Sequence, residues 1–542
     1  MSITTGTTTA RTSRSAKRAL IRRRLLDVRV MTAVCAYLFA IYGYIQPSGY
    51  RSAYKTVAER LAFARSFGTS KGLRLLYGLP HDVATVNGYA AWRVGGVLAI
   101  AAAIYGLLAG VRLTRGEEDS GRLELVLAAP VGRSVVGLAT LAALAGGTAT
   151  VWLAEFAGLL VGGVPFGGAA DLALATASIL PVCAALGALA GQVAPERGLA
   201  LQLGGGAVAV LFLLRVLADI VGGLGWMRWL TPLGWAELLR PFAGAQPAVL
   251  LAPIGASALL LGAAARIAAR RDIGSGLLPA RDRAQPRLAL LGSPMGLALR
   301  SQRGTLIAWI GALAAFSYLL GTIAKSISSA DVSQSIQRDI ARLGTGSIFT
   351  PTGYLAFLFS FFALFLCVFV CLQVAAARRE EADGRLQTLL AAPLGRRSWL
   401  AGRLALAVLA AAVLAVACGV LAWAGARTAG AHLGLGRMLE AGGNMLPVTV
   451  LFLGIAALAY AIVPRISGPL SYGLVAVAYL WELVGALSGA PQWLLEVTPF
   501  AHIGEVPAEP FRAVAAAVMV AIGVAAAGAA LELFRRRDLV AA

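Results

Sequence analysis

The chain has 542 residues, of which 58% are hydrophobic and 13% charged, and its formal charge is +21. Soluble domains carry roughly 25% charged residues, so this composition, with a mean hydropathy of +0.77, excludes a soluble globular protein. The same excess of cations in a soluble chain would point to nucleic acid, but here they bunch between apolar runs long enough to cross a bilayer and read as anchors for cytoplasmic loops.

Residues 1–29 form a basic cytoplasmic tail, disordered at first, that becomes an interfacial helix carrying Lys17, Arg18, Arg22, Arg23, Arg24 and Arg29. The first six-span domain is read over 30–270, with spans near 30–46, 91–111, 135–162, 170–193, 199–223 and 247–267. Residues 47–90 lie outside. Arg112 and Arg115 close the second span on the inner side, and Pro195-Glu196-Arg197-Gly198 makes an inner turn. The tryptophan-rich stretch 224–246 reads as short outer helices that re-enter the membrane. A linker over 271–303, with Arg281, Asp282, Arg283, Pro286 and Arg287 and then an amphipathic piece, is the domain boundary. The second domain, 304–542, places spans near 305–324, 354–376, 399–425, 443–463, 467–489 and 511–534, and Arg535 to Arg537 keep the C-terminus inside. The expected fold is all-α and polytopic, with twelve membrane helices and both termini cytoplasmic.

One polar stretch occurs twice. Glu117-Glu118-Asp119-Ser120-Gly121-Arg122-Leu123 continues to Leu127, Pro130 and Arg133, and Glu380-Glu381-Ala382-Asp383-Gly384-Arg385-Leu386 continues to Leu390, Pro393 and Arg396. The offset is constant (380 − 117 = 263; 393 − 130 = 263). Thr231-Pro232 matches Thr498-Pro499 (498 − 231 = 267), and Arg270-Arg271 matches Arg536-Arg537 (536 − 270 = 266). An even number of spans per half makes the halves parallel repeats.

The motif E-E-x-x-G-R-L-x-x-L-L-A-A-P-x-G-R after the second of six spans resembles the permeases of ABC-2 type transporters. The doubled form is similar to the fused polyketide-antibiotic exporters of actinobacteria (the tetronasin-resistance type). That resemblance implies two type V exporter-like repeats in a bacterial inner membrane. It also implies that each polar stretch is a coupling helix seated on a separate ABC ATPase subunit, with two ATPase copies per permease chain. In that role Ser120 and Asp383 would cap the helix start. Leu123 with Leu127, and Leu386 with Leu390, would offer one apolar knob each. Glu117, Glu118, Glu380 and Glu381 would be exposed acids for arginines on the partner, flanked by Arg122, Arg385, Arg133 and Arg396, while Pro130 and Pro393 end the helices.

No G-x-x-x-x-G-K-[ST] phosphate loop occurs in the chain. The expectation is therefore a permease with no catalytic residues and no cofactor of its own, ATP and Mg belonging to the partner; Leu487 to Gln492 only faintly resembles an ATPase signature loop. Cys35, Cys183, Cys367, Cys371 and Cys418 all fall in apolar runs, and the histidines lack metal-ligand company. Within the spans, Arg215 and Asp219 stand i, i+4, and Glu482 occupies the repeat-equivalent position of Arg215 (482 − 215 = 267). They read either as an outer gate across the pathway or as an Arg215–Asp219 pair with Glu482 at the interface. Glu155 reads as interfacial. Tyr105, Phe212, Phe359, Phe362 and Tyr479 are candidates to face a lipophilic substrate by residue type and depth, although packing is the commoner role of Phe and Tyr in a span. The leading function is ATP-driven export of lipophilic or amphipathic compounds. A proton-coupled secondary transporter would need a titratable group at mid-membrane, and a lipid-carrier transferase would need acidic or His clusters in the outer loops.

Overall fold

The computed structural model describes residues 5–67, 71–129, 131–221, 223–278, 290, 292–324, 350–488 and 496–539. Pro130, the linker positions Arg281, Asp282, Arg283, Pro286 and Arg287, and residues 489–492 lie outside the described residues. Among the described residues every regular element is helical. The chain divides into two compact units, Met1–Gln285 and Pro286–Ala542.

The first unit contains α1 (Thr5–Ala53), α2 (Val57–Phe67), α3 (Lys71–Tyr77), α4 (Val86–Leu113), α5 (Arg115–Asp119), α6 (Arg122–Leu127), α7 (Arg133–Val161), α8 (Phe166–Ala177), α9 (Ile179–Val193), α10 (Arg197–Ile220), α11 (Pro232–Leu238) and α12 (Leu251–Arg270). The second contains α13 (Pro294–Gly321), α14 (Pro351–Ala382), α15 (Arg385–Leu390), α16 (Arg396–Thr428), α17 (Leu435–Gly443), α18 (Leu446–Ile462), α19 (Ser467–Ser488) and α20 (Ala513–Arg536). Eleven helical segments in the described residues are long and apolar enough to cross a membrane. The helix α19 stands where the remaining span was expected.

Local sequence accounts for the boundaries. Thr85 and Thr350 (350 − 85 = 265) cap the second spans, their hydroxyl oxygens accepting from the amides of Gly88 and Gly353. Thr231 and Thr498 cap the short outer helices at Pro232 and Pro499 in the same way. The basic tail differs from expectation. It is not a separate disordered segment, because α1 runs unbroken from Thr5 into the first span. No Gly or Pro interrupts residues 7–42, so nothing stops the helix between them.

In each unit the first span packs along the third (α1 on α7, α13 on α16), the second on the fourth (α4 on α9, α14 on α18), and the fourth on the sixth (α9 on α12, α18 on α20). The second and fourth spans form the centre. They are 67% and 72% buried in the first unit and 61% and 72% in the second, whereas the first and sixth spans of both units and the fifth of the first are 22–28% buried. Small residues set the approach of the first and third spans. A Cβ on Gly158 would overlap the Ala40 carbonyl, and one on Gly425 (425 − 158 = 267) the Tyr318 carbonyl.

Candidate functional site

Both copies of the repeated motif build the same object. In the first unit α4 ends at Thr114, whose hydroxyl donates to the Gly110 carbonyl at 2.7 Å, and the chain steps into α5. Gly121 then takes a left-handed conformation (φ 68°) and starts α6. In the second unit α14 runs through the acids, and Gly384 (φ 72°) starts α15. The two glycines turn the chain where other L-residues would be strained. This corrects the expected capping: Ser120 and Asp383 end the preceding helices, and the Ser120 hydroxyl donates backward to the Glu117 carbonyl. Six residues of helix follow in each copy.

The acids also differ from expectation. Glu117 and Glu381 are buried, Glu118 and Glu380 half-buried, and all four are paired from within their own unit. Glu117 is 5% exposed and pairs with Arg24 of α1 at 3.0 Å. Glu118 accepts from Arg115 at 3.0 Å and from Arg271, just beyond α12, at 2.8 Å. Glu380 pairs with Arg403 of α16. Glu381, 2% exposed, accepts from the Tyr460 hydroxyl and from Arg537, each at 2.6 Å. The Glu118–Arg271 and Glu381–Arg537 pairs are repeat equivalents (381 − 118 = 263; 537 − 271 = 266). Each ties the motif to the end of the sixth span. These are low-solvent ion pairs, for which loss of one partner strands a charge.

Two arginines complete the clamp. Arg115 is 1% exposed and donates to the carbonyls of Pro195, Gly274 and Ser275 as well as pairing with Asp119 at 3.0 Å. Its counterpart Arg378 (378 − 115 = 263) donates to the Pro464 carbonyl at 3.1 Å. Each therefore reaches the turn between the fourth and fifth spans. Sequence reading took Arg115 only as a loop anchor; its spacing from Glu118 and Asp119 (i+3, i+4) was the available signal. Arg133 donates to the Ala268 carbonyl at 3.4 Å and Arg396 to the Arg537 carbonyl at 2.8 Å, so both hold the last turn of a sixth span.

The apolar faces are rotated from the expected phase. Leu386 is fully buried in the core of its unit, with Leu390 packed against it. Leu123 and Leu127 turn toward a cavity of about 230 Å³ beneath α6, shared with Arg24 and Leu141. The surface that α6 presents is Arg122, Glu124 and Leu125, the last 75% exposed. On α15 it is Arg385, Gln387 and Thr388, followed by Pro393.

At the opposite end of the first unit, Arg215 is 1% exposed and lies among charges from three elements. Its guanidinium is 2.9 Å from Glu237 and 3.5 Å from Asp219, and it donates to the Leu75 carbonyl at 2.9 Å. Arg228 joins Asp219 at 2.8 Å and Glu237 at 3.7 Å. Two cations thus meet two carboxylates, and Arg215 is neutralised within its own unit, Asp219 included. Arg228 and Glu237 were not singled out from the sequence, since their partners are not in helical register with them. Burial, then the nearby Arg240, pulls His81 in the adjoining loop below the ordinary imidazole value, so it adds no third cation at neutral pH.

Of the aromatic positions, Phe359 and Tyr479 line one cavity of the second unit together with Glu482. The others pack. Phe362 is fully buried, the Tyr105 hydroxyl bonds Thr32 at 2.7 Å, and Phe212 lies under the Arg215 guanidinium at 5.4 Å. Glu155, expected at the interface, is fully buried, because α7 turns it toward α8, where the Thr176 hydroxyl donates to it at 2.5 Å. The five cysteines are free and buried.

A family profile described as "Multidrug efflux system permease Rv1217c, C-terminal domain" matches residues 64–267 and 291–535, one segment in each unit. The chain is also 30% identical over 492 residues to the multidrug efflux system permease protein Rv1217c of Mycobacterium tuberculosis (strain ATCC 25618 / H37Rv), an alignment covering 90% of this chain and 88% of that relative.

Proposed function

Since the chain belongs to the multidrug efflux permease family, of ABC-2 type, we propose that it is the membrane subunit of an ATP-driven exporter of lipophilic and amphipathic compounds, working in the bacterial inner membrane. The observation that carries the coupling part of this reading is the duplicated clamp. Each repeated motif exposes one face of a six-residue helix and is bonded on the other side to the span ends of its own unit. In this reading α6 and α15 dock on two ATPase subunits, which supply ATP and Mg.

The mechanism follows from the bonding. A push on α6 reaches the first span through Arg24, the turn between the fourth and fifth through Arg115, and the end of the sixth through Arg271. A push on α15 reaches the third, fourth and sixth spans through Arg403, Tyr460 and Arg537. Buried ion pairs transmit such a displacement because neither charge leaves its partner cheaply. Closure of the ATPase pair would then tilt each bundle as a body and alternate the access of the pathway.

The test is co-purification with the ATPase together with dye efflux from vesicles. Leu125→Arg combined with Thr388→Arg is expected to abolish ATPase binding and efflux while leaving thermal stability unchanged. Retained ATPase binding in that double variant would remove the docking assignment.

A further inference from the structure

We propose that the cavity walled by Phe359, Tyr479, Phe500 and Glu482 in the second unit binds a lipophilic organic cation, an alkylammonium head carried on an apolar body. Its role as a cargo site rests on the exporter reading above; the binding itself does not.

The cavity lies at the end of the unit away from the repeated motif and measures about 120 Å³. Voids of that order accept one small ring or a compact head. Tyr479 and Phe500 stand edge to face with centroids 5.3 Å apart, so ring faces and edges both reach the space. Glu482 follows Tyr479 on α19 and supplies the charge. One of its carboxylate oxygens is shielded from solvent and accepts no hydrogen bond.

The basic groups nearby are committed elsewhere. Arg512 lines the same cavity, but its guanidinium donates to Glu509 at 3.1 Å and to the Ala501 carbonyl at 3.2 Å. His502 is engaged with the Glu496 carbonyl at 2.8 Å. The shielded oxygen of Glu482 is therefore left without a donor. A carboxylate oxygen shielded from water with no hydrogen bond is costly, and an incoming cation removes that cost while its surface meets aromatic faces, where cation–π attraction is strongest once water is excluded. A neutral molecule without a donor would leave that oxygen unpaired, and an anion would be repelled by the carboxylate.

The first unit does not repeat the arrangement. There the equivalent position is Arg215, balanced by Asp219 and Glu237. The adjoining cavity is about half as large, near 60 Å³, and has Arg215 and Arg240 in its wall. The recognition is thus built into one half of a duplicated chain.

The experiment uses the purified full-length chain in lipid nanodiscs. The probes are a radiolabelled phenylalkyl trimethylammonium and its neutral isostere, in which a tert-butyl carbon replaces the nitrogen; binding to empty nanodiscs is subtracted. The wild-type chain is expected to bind the ammonium about tenfold tighter than the isostere, a difference of about 1.4 kcal/mol. Glu482→Gln is expected to abolish that preference and leave isostere affinity unchanged. Glu482→Asp should keep most of the preference, and Phe500→Leu, which retains the charge, should lower ammonium affinity several-fold. An unchanged preference in Glu482→Gln, or an equal loss for both probes, would overturn the proposal. Should Glu482→Gln fail to fold, indifference of ammonium affinity to Phe500→Leu would overturn it instead. Efflux of a neutral dye in the presence of the ATPase is measured in parallel. Binding without any efflux would count against the exporter reading alone, and efflux without charge-selective binding against this site alone.

Discussion

Glu381 joins the repeated motif of the second unit to two distant side chains. It is 2% exposed and holds both the Tyr460 hydroxyl and Arg537, 156 positions downstream. Glu118 stands likewise with Arg271, 153 positions away. Neither partner is visible from local pattern, because a polar island between apolar runs looks solvated until distant chain ends fold onto it. Removing one member of such a pair leaves a stranded charge worth about 3–5 kcal/mol. Glu381→Gln is therefore expected to lower the thermal unfolding midpoint of the purified protein markedly, and combining it with Arg537→Gln should recover part of the loss. Strict additivity of the two single effects would show that the pair is not coupled. Arg215 teaches the complementary lesson. Its i, i+4 partner Asp219 was readable from spacing, but Arg228 and Glu237, which complete the four-charge cluster, were not.

At the scale of the element, span positions were legible and helix phase was not. Apolar length and flanking arginines placed most of the long helices within about six residues, since a run of that length has few alternatives in a bilayer, whereas α1 and α13 begin well before the expected spans at 30 and 305 because their basic and amphipathic leaders continue the same helix. The motif helices are only six residues long, too short for a moment to fix which face turns inward. The leucine pairs were accordingly assigned outward, whereas Leu386 is fully buried and Leu125 carries the exposed face. Leu386→Arg is thus expected to lower expression and melting temperature, in contrast to Thr388→Arg, which should leave both unchanged; a fluorescence-detected melting curve separates them. Gly384 turns the chain at φ 72°, so Gly384→Ala should cost about 1–2 kcal/mol without contacting any neighbour. Where the first and third spans meet, Gly425 has no room for a side chain against the Tyr318 carbonyl. Gly425→Leu should destabilise by about 1–3 kcal/mol or more through overpacking, read in the same melting assay.

For the whole molecule, the duplication organises the account. Its landmarks recur at offsets of 263 to 267 (380 − 117; 482 − 215), and the structure adds matched caps, matched turns at Gly121 and Gly384, and matched clamps on the sixth spans. The halves have diverged at these equivalent positions, with a balanced cluster around Arg215 in one and a carboxylate oxygen of Glu482 that accepts no hydrogen bond in the other. The central claim is that both motifs face the same compartment as docking elements for an engine on another chain. Single cysteines at Leu125 and Thr388, both exposed, test it against a background of five native cysteines that are buried. Labelling with a membrane-impermeant maleimide should modify both positions in inside-out vesicles and neither in intact cells, and bound ATPase should protect both. Modification of the two positions from opposite faces of the membrane would contradict the account.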